Sequence, residues 1–132
     1  MSALVQGLTI DARRLWAGEA RWDAPLCLVD LDACGDAPRE IALPACPVIG
    51  IGDAAHPLAA SLDAVIEAPV TAEGVAKQVS AMPQAAAVIV QLLRLLPSLS
   101  PNEGLTAESM AYAVLQGSDV HRAWIAAQVA AP

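Results

Sequence analysis

The chain has 132 residues and a formal net charge of −7; 56% of its residues are hydrophobic and 16% are charged. Only seven Lys and Arg residues are present, scattered along the chain, which argues against a nucleic-acid-binding protein. A hydrophobic fraction this high, with so few charges, predicts that another subunit, another domain or self-association covers part of the surface.

The length fits a single domain with one hydrophobic core. We expect an α/β domain over residues 1–132, with a strand-rich part at 1–70 and a helical part at 71–130. The three cysteines, Cys27, Cys34 and Cys46, lack C-x-x-C spacing, and the start of the chain lacks a secretory-signal pattern, so a reduced, cytoplasmic setting is predicted. Pro83 interrupts the longest uncharged run, which is too short to span a bilayer.

The first 24 residues allow two interpretations. Their apolar spacing predicts a helix over 11–20, whereas residues 8–10 also fit a short strand. Trp16 and Trp22 are expected to pack inside the protein; alternatively, such a pair near a terminus contributes to an interface.

Three short apolar runs follow, at 25–32, 46–53 and 63–69, and each reads as a strand. A short helical turn is expected between the second and third strands, at 56–62. This alternation predicts a small, three- to four-stranded, mainly parallel sheet.

The helical part contains clear start and stop signals. Thr71 is expected to cap a helix that runs to Ser80. The sequence Ser100-Pro-Asn-Glu103 has the spacing of a capping box, and Gly117 is expected to end the helix that it begins. A further helix, 84–96, is apolar nearly all round, which predicts burial on most sides. Ser118 is expected to cap a last short helix.

Few residues suggest chemistry. Asp30 and Asp32 follow the first strand, where carboxylates in parallel sheets can hold a metal or a ribose hydroxyl, but a solvated turn is the favoured interpretation. Gly50-x-Gly52 lacks the third glycine of a dinucleotide fingerprint and is read as a turn. His56 lies just past a strand end, where a general base can sit, although a local structural role is favoured.

The remaining candidates give no site. Cys27 and Cys46 are expected to be inert core thiols, and Cys34 has no histidine near it in sequence. No Cys/His spacing resembles a zinc site, so no metal or cofactor is predicted. Glu103 has a structural task in the capping box.

Several segments between residues 46 and 126 match motifs of a known family. They are Pro47–Gly52, His56–Ala59, Val88–Leu96, Glu103–Glu108 (EGLTAE), Glu108–Gly117 (ESMAYAVLQG) and Ser118–Ile125 (SDVHRAWI). In them the helical part resembles the C-terminal end of crotonase (enoyl-CoA hydratase/isomerase) chains. The segment Glu108–Gly117 is especially similar to one subset of that family, in which a short α/β region accompanies the crotonase domain, upstream in the same polypeptide or as a separate chain.

The chain departs from that family in the Gly-rich loop that binds the thioester carbonyl and in the long middle segment that carries acid/base carboxylates, so no catalytic residue is transferred. The resemblance implies a degenerate crotonase-like accessory domain or small subunit. It would pack on an enoyl-CoA hydratase/isomerase partner acting on acyl-CoA, with Tyr112, Leu115 and Trp124 as interface candidates. The alternatives are a homo-oligomeric module that binds a small ligand, and a free-standing acyl-CoA enzyme that uses His56.

Overall fold

Three short parallel strands form the sheet of this protein: β1 (Cys27–Asp30), β2 (Val48–Ile51) and β3 (Ala64–Ile66). They lie in the order β1-β2-β3, with Cys27 opposite Val48 and Ile49 opposite Ala64. Two contacts with Asp63 fix the start of β2: its first amide, Val48 N, donates to the Asp63 carboxylate at 2.7 Å, and Asp63 N donates to the Val48 carbonyl at 2.9 Å. The predicted small parallel sheet is confirmed.

The computed structural model describes residues 2–36 and 42–131. Within them the protein is α/β, and most of the regular structure is helical. The chain divides into two compact units, Met1–Ala87 and Val88–Pro132, called here the first unit and the second unit. Part of the loop expected after the first strand, Ala37 and Pro38, lies outside the described residues.

The start of the chain differs from its prediction. A helix that the sequence analysis missed, α1 (Ala3–Leu8), begins at Ser2, whose hydroxyl accepts a hydrogen bond from Val5 N at 3.2 Å. The strand alternative for residues 8–10 survives as a single parallel bridge between Thr9 and Leu28. The helix predicted at 11–20 is shorter, α2 (Ala12–Trp16), and Gly18, with φ of 73°, follows it in the left-handed conformation.

Both faces of the sheet are covered, as expected for parallel strands. On one face Leu26, Leu28 and Ile49 pack with Val5 of α1 and with the helix α3 (Ala72–Ala81). On the other face β1 and β2 side chains pack with α2 and with Leu31 and Leu58. The latter two belong to 3₁₀ turns, Leu31–Ala33 and Pro57–Ser61, which follow β1 and β2.

Four helices follow the sheet, and side-chain caps fix three of their starts. Their bounds are α3 (Ala72–Ala81), α4 (Pro83–Leu95), α5 (Pro101–Gln116) and α6 (Asp119–Ala130). Thr71 caps α3, Ser118 caps α6, and Ser100 with Glu103 forms the complete capping box of α5. The predicted starts of these helices are confirmed, and Gly117 ends α5 as expected.

One expectation about α4 is wrong. Its sequence is apolar nearly all round and predicted burial, but no residue of α4 is buried, and Ile89, Leu93 and Leu95 are exposed. The same holds for α5 and α6, which contain no buried residue. The described residues cover the apolar sides of these helices only in part.

Candidate functional site

The carboxyl ends of the strands are the first place where chemistry was expected. There the Asp30 carboxylate accepts a hydrogen bond from Asp32 N at 3.0 Å and so caps the 3₁₀ turn Leu31–Ala33. Asp53 acts in the same way on the next loop, accepting from Ala55 N at 2.9 Å. Both carboxylates therefore stabilise turns.

Asp32 has a different neighbour. Gly52 has a φ of 120°, and a Cβ placed on it would lie 2.8 Å from the Asp32 carboxylate. Glycine is required at position 52 for two reasons, the left-handed backbone and the close approach of Asp32. The Gly50-x-Gly52 sequence therefore forms a tight turn that brings the loops after β1 and β2 together.

His56 is held at both ring nitrogens. Its Nδ1 accepts a hydrogen bond from Leu58 N at 3.1 Å and caps the turn Pro57–Ser61. Its Nε2 lies 3.1 Å from the Gly35 carbonyl, a geometry that places the proton on Nε2. A general base needs a ring nitrogen free to accept a proton, so in this arrangement His56 joins two loops rather than serving a substrate.

The cysteine thiols also make contacts with other groups of the protein. The Sγ atoms of Cys27 and Cys46 lie 3.8 Å apart in the core, and this contact, together with burial, raises the pKa of Cys27. Cys34 donates to the Asp30 carbonyl at 3.1 Å; partial burial and the negative charges of Asp11 and Asp30 raise the pKa of its thiol. A raised pKa keeps a thiol protonated and a poor nucleophile.

No metal centre forms among these residues. Across residues 2–36 and 42–131, no group of three or more His, Cys, Asp or Glu side chains is arranged to hold a metal ion. The structure therefore brings Asp32, Gly52 and His56 to one edge of the sheet, but as parts of turns.

The second unit offers a different kind of candidate site. Large apolar side chains are exposed on α5 and α6, and we call this set the helical surface. Its members are Leu105, Met110, Tyr112 and Val114 of α5, and Val120, Trp124, Ile125 and Val129 of α6. Large aromatic residues in such a set are the usual anchors of protein–protein interfaces.

The three interface candidates differ in exposure. Tyr112 is 63% exposed and Trp124 is 59% exposed, so both are available to a partner. Leu115 is half-buried, and it aligns along α5 with Gly104, Ala107 and Ala111, the other residues of that helix that are partly covered. The indole of Trp124 stacks on the ring of His121 with centroids 5.9 Å apart.

One exposed tryptophan lies in the first unit, at a position for which the sequence left open a role in an interface. Trp22 is 96% exposed instead of packed inside. It lies between Arg21 and Asp23, whose side chains form an ion pair across it at 3.0 Å.

Within the described residues no single helix is long and apolar enough to cross a membrane; only Ala72–Ala81 taken together with Pro83–Ser98, a bent pair, reaches the required length and composition.

Comparisons with protein-family models, with curated proteins and with solved structures find no match to this chain.

Proposed function

We propose that this chain is a non-catalytic, crotonase-like accessory domain or small subunit, which packs through the helical surface on an enoyl-CoA hydratase/isomerase-type partner that acts on acyl-CoA. The observation that carries the proposal is the exposure of α5 and α6. These helices present Tyr112, Trp124 and further large apolar side chains to solvent, and none of their residues is buried.

The second unit is also poor in charge, which suits an interface core. Residues 88–132 contain Arg94, Glu103, Glu108, Asp119 and Arg122 as their only charged residues, so their net charge is −1. The remaining −6 of the chain lies in residues 1–87. An apolar partner surface can therefore meet α5 and α6 with little charge to desolvate.

The non-catalytic part of the proposal is supported by the loops after β1 and β2. His56 uses both ring nitrogens in hydrogen bonds, and burial and neighbouring groups raise the pKa of the Cys27 and Cys34 thiols, which keeps both protonated. The choice of a crotonase-type partner is supported by the resemblance over residues 46–126.

The test is co-expression with a tagged crotonase-type protein from the native host, followed by co-purification. We expect a defined complex, and we expect Trp124→Ala to weaken it by roughly 30-fold, the effect of losing one interface anchor. Trp22→Ala is the matched control, because it removes an even more exposed tryptophan from the first unit. Failure to recover any crotonase-type protein, or equal losses from the two variants, would refute the proposal.

A second measurement distinguishes this proposal from the alternative of a free-standing enzyme that uses His56. We expect His56→Ala to leave the hydratase or isomerase activity of the complex within about twofold of wild type, because the chemistry lies in the partner. An activity of the isolated chain that His56→Ala abolishes would instead establish the free-standing enzyme.

A further inference from the structure

Trp22 lies in a turn that is closed by a backbone hydrogen bond. Ala24 N donates to the Arg21 carbonyl at 3.2 Å, which closes a four-residue turn with Trp22 inside it. The Arg21 guanidinium binds the Asp23 carboxylate through Nε at 3.1 Å and through Nη2 at 3.0 Å, a two-point contact that spans the tryptophan. An aromatic side chain has few rotatable bonds and loses little entropy on binding, which suits an anchor.

A cavity of about 160 Å³ lies beside this turn in the first unit. Leu8, Ile10 and Pro25 give it apolar walls. A cavity of about 150 Å³ is large enough to hold benzene, so this one has room for an aromatic ring.

The polar groups of the cavity suit an indole. Arg14 and Arg21 are among its lining residues, and guanidinium groups bind the faces of aromatic rings, tryptophan best. Glu19 also lines it and holds Arg14 Nε at 3.0 Å through one carboxylate oxygen. A carboxylate has further lone pairs that can accept the indole N–H.

The anchor and the cavity are neighbours on the same chain. Arg21 and Ala24 line the cavity and also hold the turn that carries Trp22, yet Trp22 itself is 96% exposed. When each copy carries both an anchor and its receptor, two copies can meet about a two-fold axis so that each anchor enters the receptor of the other copy. We propose that two copies of this chain associate in this way, each inserting Trp22 into the other's cavity.

Local charge favours a second copy as the occupant. Residues 11–23 contain three acidic and three basic residues, so this segment is neutral in a chain of net charge −7. Two copies can therefore approach through it without the repulsion that the rest of the acidic surface would cause. This inference is independent of the proposed function, which concerns residues of α5 and α6.

The test is sedimentation of the whole chain, alone, over roughly a hundredfold range of concentration. We expect a monomer–dimer equilibrium that Trp22→Ala weakens by roughly 30-fold or more, since each dimer loses two anchors. Ala24→Leu, which fills the cavity and keeps the tryptophan, should weaken it similarly. Trp124→Ala is the matched control and should leave it unchanged.

Mixing the two variants provides the sharpest result. A Trp22→Ala copy keeps its cavity and an Ala24→Leu copy keeps its anchor, so the mixture should form a heterodimer that is tighter than either homodimer. A chain that is monomeric at every concentration, a dimer that Trp22→Ala leaves intact, or a dimer lost only with Trp124→Ala would each overturn the proposal.

Discussion

The two units of this protein differ in the burial of their apolar side chains. In the first unit a three-stranded sheet has helices or turns on both faces, and every buried residue of the described chain lies between Val5 and Ala76. In the second unit, residues 88–131 form helices with no buried residue.

The difference teaches that apolar composition alone does not give a core. The sheet orders side chains into two layers, because Leu28 and Ile49 point to one face while Cys27, Val29 and Val48 point to the other. The partly covered stripe of α5 contains Gly104, Ala107 and Ala111, whose small side chains bury little area. The apolar area that remains on α5 and α6 is what the proposed function assigns to a partner.

The largest expected effect is a difference in stability between two single leucine-to-alanine variants, one in each unit. Leu28→Ala should lower the free energy of unfolding by about 2–5 kcal/mol, because Leu28 is 0% exposed and its removal leaves a cavity. Leu105→Ala should cost less than about 1 kcal/mol, because Leu105 is 65% exposed. Urea denaturation of the isolated chain measures both, and similar losses from the two variants would remove the contrast between the units.

A smaller effect is expected at the turn that joins the loops after β1 and β2. Gly52→Ala should cost about 1–3 kcal/mol, because φ is 120° and the added methyl group meets the Asp32 carboxylate. Gly7→Ala in α1 is the control: no atom lies within 4 Å of the added Cβ, and the change should stabilise by about 0.5–1 kcal/mol. Thermal unfolding of both variants checks the signs of the two changes in the free energy of unfolding. Equal changes would contradict the strain assigned to Gly52.

In the second unit the expected loss of stability is confined to the start of α5. Ser100→Ala removes the hydroxyl that accepts from Glu103 N at 3.2 Å, and should destabilise α5 by about 1 kcal/mol. Far-UV circular dichroism during thermal unfolding measures the change. A Ser100→Asp variant, which restores an N-cap acceptor, should recover most of the loss; if it does not, the cap is not what stabilises this helix end.

The smallest expected effect depends on pH. The Ser100 backbone amide donates to Glu103 Oε1 at 3.0 Å and lowers the pKa of that carboxyl. A lowered pKa in the folded state means that the ionised form stabilises the helix at neutral pH, and that this contribution is lost as the pH falls through the lowered pKa. NMR titration of α5 should show this step, and Glu103→Gln should lack it. A titration that Glu103→Gln leaves unchanged would assign the step to another group.

Much of the first unit could be predicted because its signals are local. Runs such as Val48–Ile51 end in a glycine turn, and Thr71 and Ser100 mark helix starts by side-chain chemistry. The helix α1 was missed although Ser2 stands at its start, because six residues are too few for a clear apolar period.

Exposure could not be predicted, because it depends on residues distant in sequence. The apolar pattern of α4 indicates a helix that needs cover, but it does not say whether this chain supplies that cover. Trp22 shows the same limit: its size predicts burial, whereas it is 96% exposed, between the ion-paired Arg21 and Asp23. Of the candidate site, Tyr112 and Trp124 are exposed as an interface requires, while His56 is used by its own loops.

The caps of α5 and α6 have a consequence for how fast a partner can bind. In each cap a serine hydroxyl accepts a hydrogen bond from the backbone amide three residues later: Ser100 from Glu103 N, and Ser118 from His121 N. The two helices therefore begin at fixed residues before any partner arrives, and a partner does not have to fold them. Association through these helices should lack the ordering cost and the slow folding step of a segment that folds on binding.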